Sequence, residues 1–138
     1  MKYYYTREFI NDNWNISHAE RMDSKGDRVI LATEIQNAFA DKSFLFFGGY
    51  DGDPSVVCVD FKDITLSEEE NSILDTVVYN HKNNVADKYA IKHNGSLVMN
   101  PEIPTDAILF NTEESAQQGI IALDLPAEEC QVVPIVVL

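Results

Sequence analysis

Basic residues are what this chain is shortest of. Ten Lys and Arg stand against 23 Asp and Glu in 138 residues, a formal net charge of −13. The carboxylates are only modestly numerous, so the imbalance comes from missing cations. Nucleic-acid binding depends on cations that neutralise phosphates, and anionic membrane surfaces recruit cations as well. Neither is an expected partner; such a surface suits a basic partner, a cation-rich medium or simple solubility. Cysteine is scarce too. Cys58 and Cys130 form no CxxC pair and no zinc spacing. Cys58, within Val56-Val57-Cys58-Val59, reads as a buried free thiol. His18, His81 and His93 make no HxH, HxxxH or HExxH motif, and Gly95-Ser96 lacks the GxSxG context of a nucleophile elbow. Gly48-Gly49 has no Lys-Ser/Thr after it to make a phosphate loop. No cofactor is expected. No stretch approaches the roughly 20 apolar residues of a membrane span. The segment from Met1 to Glu8 has no apolar signal region, which gives the cytosol as the expected place of folding.

What is present is an ordinary globular composition, 45% hydrophobic, at the usual size of one domain. The expected class is α+β: a β-rich single domain over 1–138, with antiparallel sheets, one well-defined amphipathic helix and one short helix. A mild boundary at Asn83-Asn84 divides it into a β-β-α half (1–84) and an all-β half (85–138).

The helix signals are specific. Ser67-Glu68-Glu69-Glu70 has capping-box form, with three glutamates at the positive end of the dipole. Ile73, Leu74, Val77, Val78 and His81 follow at the spacing of one helical face, and Asn83-Asn84 ends the run. This predicts a helix over 68–82. Thr33-Glu34-Ile35-Gln36, with Ala38 and Phe39 on the apolar face, predicts a second over 34–41.

The rest reads as strands and turns. An aromatic-rich strand over 3–10 is followed by a turn at Asn11-Asp12-Asn13, and Trp14 and Ile16 begin another strand. Residues 17–27 are polar and read as a loop. Phe44-Leu45-Phe46-Phe47 and 55–61 form a hairpin around Gly48-Gly49-Tyr50-Asp51-Gly52-Asp53-Pro54. Asn94-Gly95 sets a tight hairpin turn between Tyr89-Ala90-Ile91 and Leu97-Val98-Met99. Three further strands are expected at 107–110, 119–123 and 131–138, the last an edge, bulged or broken strand because of Pro134.

Few residues offer chemistry. Asp51 and Asp53, in a Gly-rich loop, are the metal candidates, with calcium the fitting ion and Asp60 and Asp63 nearby; the closing ligands of an EF-hand are missing. Against this, Asp and Gly simply make turns. Glu113-Glu114 and Glu128-Glu129 are paired carboxylates, but adjacent residues diverge, and a solvated surface is the ordinary explanation. His81 reads as helix-end packing. Two apolar stretches are interface candidates: Tyr3, Tyr4 and Tyr5, and Pro134, Ile135, Val136, Val137 and Leu138. Both serve equally as core strands.

One run carries a resemblance. Phe61-Lys62-Asp63-Ile64-Thr65-Leu66-Ser67-Glu68-Glu69-Glu70, continuing through Ile73-Leu74-Asp75 and Val77-Val78 to His81, resembles a segment of small virion-associated proteins of tailed bacteriophages. Ala107-Ile108-Leu109-Phe110-Asn111-Thr112 is similar to strand ends of phage fibre modules. The resemblance covers about a fifth of the chain. It implies a non-enzymatic capsid decoration or tail accessory protein, assembled in the host cytoplasm into the virion. Its partners would be further copies of itself, as a homo-oligomer, and capsid or tail proteins. Two alternatives stand beside it. One is an acidic phage-encoded inhibitor that occupies a basic host defence protein. The other is an enzyme whose site is built by the fold, with Asp51, Asp53, Asp60 or His93 as first suspects.

Overall fold

A computed structural model describes residues 1–6, 17–49, 52, 53 and 55–138, with the side chains of 17–20 excepted. Among these the class is mixed α+β, with three helices, eight strands in two sheets and roughly equal helix and strand content. The chain divides into two compact units, Met1–His18 with Val29–Asn83 and Ala19–Arg28 with Asn84–Leu138. The second boundary falls beside the Asn83-Asn84 break read from sequence.

The first unit sets two helices on an antiparallel sheet. Strands β1 (Lys2–Thr6), β4 (Leu45–Gly48) and β5 (Val56–Asp60) lie in the order β1-β5-β4, with Tyr4 and Phe47 both opposite Cys58. Strand β3 (Arg28–Ile30) leads directly into α1 (Leu31–Ala38). Alternation on the strands sends Tyr3, Tyr5, Phe46, Val57 and Val59 to the helix side, where they pack with Leu31, Ile35, Leu74 and Val78. Phe61 anchors this core, with the rings of Phe39, Phe44 and Tyr3 centred 5.4, 5.5 and 6.0 Å away.

Helix α2 (Glu68–Lys82) matches the predicted bounds, and both halves of its capping box form. The Glu70 N–H donates to Ser67 Oγ and the Ser67 N–H donates to Glu70 Oε1. Its buried face is Leu74, Val78 and His81; Ile73, expected on that face, is exposed. Helix α1 begins earlier than the predicted 34–41. Ile30 stands at its N-cap without a side-chain hydrogen bond, and Thr33 lies inside the helix. Burying Leu31 together with Ile35, one turn apart, outweighs the missing cap.

In the second unit β2 (Ser17–Met22), β8 (Cys130–Ile135), β6 (Lys88–His93) and β7 (Ser96–Leu97) lie side by side in that order. The expected loop at 17–27 is therefore half strand. β2 runs parallel to β8, with Met22 in register with Ile135 and the Val136 N–H donating to the Met22 carbonyl. This pairing partner lies more than a hundred residues away in sequence, and no apolar alternation announces it. The Asn94-Gly95 turn forms as predicted: both residues have positive φ, 51° and 82°, and join β6 to β7.

Three expectations for this half are corrected. It is not all-β, because the predicted strand at 119–123 belongs to helix α3 (Glu113–Ala122). Thr112 caps that helix, its hydroxyl accepting from the Ser115 N–H, and Glu113 and Glu114 occupy the first turn. A short apolar run does not by itself distinguish a strand from a buried helix end. Residues 107–110 make two isolated bridges, Met99 to Ala107 and Tyr89 to Phe110, rather than a strand. Finally, β8 is not an edge: it lies between β2 and β6 with Pro134 inside it. Pro134 sits opposite Tyr89, whose N–H and C=O both bond Phe110 on the other side of β6. That makes Tyr89 and Pro134 a non-hydrogen-bonded pair, so the missing N–H costs the β6–β8 ladder nothing.

The expected turn at Asn11-Asp12-Asn13, the strand start at Trp14 and Ile16, the far part of the 3–10 strand, and Tyr50, Asp51 and Pro54 of the hairpin tip lie outside the described residues.

Candidate functional site

A groove of about 660 Å³ lies in the second unit, between α3 and the start of β8. Period 3.6 puts Glu113, Glu114, Gln117, Gln118 and Ile121 on one face of α3, and all five line the groove. The other wall is Cys130, Gln131 and Val132. Helix α3 reaches the sheet closely because Gly119 has no side chain: a Cβ there would stand 2.5 Å from Phe110 Cζ and 3.4 Å from Ile91 Cδ1. Among the described residues the lining thus holds two carboxylates, three amides, a half-buried thiol and apolar surface, and no Lys, Arg or His. Beside it, His93 is opposite Cys130 in the β6–β8 register, and its Nε2 lies 3.3 Å from a Glu129 carboxylate oxygen.

A different arrangement occupies the first unit. His81 is 1% exposed and its Nδ1 lies 2.6 Å from Glu34 Oε2, between α2 and α1. Nε2 of the same ring finds no hydrogen-bond partner among the described residues. This pair holds two helices together and does not line the groove. Sequence reasoning placed His81 on the buried face but missed Glu34, which entered only as part of the Thr33-Glu34-Ile35-Gln36 capping pattern.

The remaining candidates are dispersed. Asp51 lies outside the described residues, so the proposed calcium loop is represented by Asp53 alone. The Asp53 carboxylate accepts from the Ser55 N–H at 2.9 Å and the Ser55 hydroxyl at 2.7 Å, bonds that hold it below the usual carboxylate range. Asp60 accepts from the Lys62 N–H. Both serve turns. Cys58 is fully buried, and burial, with Asp60 nearby, pushes its thiol up. Among the described residues no group of three or more His, Cys, Asp and Glu could hold a metal ion, and no helix is long and apolar enough to cross a membrane.

The interface candidates divide between the units. Tyr3 and Tyr5 pack on the first core, Tyr3 accepting from the Leu66 N–H and Tyr5 donating to Asp75, while Tyr4 is 53% exposed. Burial and the Asp75 carboxylate raise the Tyr5 phenol above its ordinary range. In the second unit Ile135 and Val136 are buried, Pro134 is half-buried, and Val137 and Leu138 are exposed. The Val137 N–H donates to the Asp87 carboxylate. Sequence reading named Glu113 and Glu114 but not Gln117, Gln118 or Ile121. The helical spacing that unites them was hidden once 119–123 was read as a strand.

No family model matches the chain, and neither a curated protein nor a solved structure matches it.

Proposed function

We propose that this chain is a non-enzymatic component of a tailed-bacteriophage virion, a capsid decoration or tail accessory protein that works by contact with other proteins and with copies of itself. The phage-like run from Phe61 to His81 is the origin of the reading. The observation that carries it is where that run's residues go. Phe61, Leu66, Leu74, Val78 and His81 are all buried in the first unit, so the segment is spent on building a scaffold. Asp53, in its own turn, and Cys58, inside the sheet, are likewise engaged in structure. What the surface offers a partner is apolar side chains among carboxylates, with Ile121 79%, Tyr79 63% and Tyr4 53% exposed.

The test is solution mass by light scattering, followed by co-sedimentation with purified phage heads and tails. A defined oligomer, or saturable attachment to one particle, supports the reading. A monomer that ignores both particles overturns it. The net charge of −13 favours a second reading, an acidic inhibitor of a basic host protein. That reading requires binding that weakens steeply with salt and blocks the target's own activity.

A further inference from the structure

We infer that the groove between α3 and β8 docks a segment of a partner protein in the polyproline II conformation, in which a Lys or Arg stands three residues from a branched apolar side chain. The inference deepens the assembly reading by naming the partner's chemistry. One face of α3 forms a wall of the groove. Along it the groove presents carboxylates at Glu113 and Glu114, amides at Gln117 and Gln118, and apolar surface at Ile121. Glutamates in a first helical turn have an ordinary explanation in the helix dipole. The dipole does not explain Ile121, the most exposed large apolar side chain among the described residues, at the far end of the same groove.

The two ends ask for different things. A cation seated against Glu113 and Glu114 meets no competing positive charge, since the lining has none among the described residues. An apolar side chain over Ile121 and Val132 removes their surface from water. Between them the amides of Gln117, Gln118 and Gln131 both donate and accept, as a polyproline II backbone requires. From Glu114 to Ile121 is seven helical steps, roughly 10 Å at ~1.5 Å each, which a polyproline II chain covers in about three residues at ~3.1 Å each, with side chains three apart on one face. The groove volume of about 660 Å³ is within the range of built binding sites. The chain's net charge of −13 draws a basic segment toward it.

The probe is a fluorescein-labelled peptide, Gly-Lys-Ser-Thr-Leu-Gly, followed by fluorescence anisotropy with the full chain, beside a control carrying Glu for Lys. Two variants test the ends: Glu113→Gln with Glu114→Gln, and Ile121→Asn, the latter at a side chain that no core uses. Circular dichroism melts show that each still folds. Saturable binding of the Lys peptide, at least tenfold weaker for the Glu peptide, for each variant and on raising the salt, is expected. Absence of saturable binding, equal binding of the Glu peptide, or affinity unchanged in both variants overturns the inference. Co-sedimentation with heads and tails separates the two readings. Attachment undiminished in both variants removes the groove and leaves the assembly reading standing. Peptide binding that obeys the variants, with no attachment of the native chain, does the reverse.

Discussion

Glu34 and His81, 47 positions apart, meet at 2.6 Å inside the first unit, the carboxylate 7% and the imidazole 1% exposed. Nδ1 faces the carboxylate while Nε2 is buried without a partner among the described residues. A polar pair in an otherwise apolar helix contact is costly to break from one side, because the group left behind stays desolvated.

Glu34→Leu alone is therefore expected to cost roughly 3 kcal/mol of stability. His81→Leu should also destabilise, but the double substitution should lose distinctly less than the sum, since no polar group is then stranded. Urea denaturation of all four proteins measures this. Losses that simply add would show that the pair is not coupled.

At Gly119 two effects oppose each other. Alanine gains about 1 kcal/mol of helix propensity. Its Cβ, however, would stand 2.5 and 2.7 Å from two atoms of the Phe110 ring, and overpacking of this kind costs about 1–3 kcal/mol. Phe110 has little room to retreat, since its backbone is bonded to Tyr89 in both directions. Gly119→Ala should lower the melting temperature, and Phe110→Leu in the same chain should restore part of the loss. A Gly119→Ala protein that melts higher than the native one would contradict the close packing.

The α2 cap carries a pH signature. The Ser67 N–H, and then the Lys42 ammonium 3.0 Å away, hold the Glu70 carboxyl below its ordinary range. A depressed folded-state value means that this contribution is complete above the unfolded carboxylate value, near 4.3 for glutamate. It is lost as pH falls through the lower folded value. Glu70→Gln should flatten the acid limb of stability against pH, read from melts between neutral and strongly acid solution. Separately, Ser67→Ala should cost about 1 kcal/mol at neutral pH.

The two thiols should differ sharply. Cys58 is fully buried and its thiol is pushed up by that burial, so little thiolate reaches reagent. Cys130 is half-buried on the groove wall. Titration with a chromogenic disulfide should release one equivalent promptly from the native chain and two in denaturant. Cys130→Ser should abolish the prompt equivalent, and a prompt equivalent that survives this change would place Cys58 at the surface.

Local signals were legible where the chain states them twice. Ser67 and Glu70 bond reciprocally at the start of an apolar 3.6 repeat, and the helix follows to the residue. Asn94-Gly95 accepts positive φ twice in succession, and the hairpin forms there. Where one signal stood alone it misled. Thr33 had the form of a cap, but Leu31 and Ile35 needed the interior more. The strand read at 119–123 was apolar enough for a sheet, yet the Thr112 cap had already begun a helix.

By itself the sequence determined the charge, the mixed class, the α2 cap and the hairpin turn, because each depends on residues within a few positions of one another. Tertiary structure decided the partner of His81, the strand character of 17–22 and the seat of Pro134 in a paired strand. It also decided the meeting of Glu114, Ile121 and Val132 around one groove. These rest on contacts between distant segments, whose free energy exists only once the chain has closed on itself, and no local pattern records them.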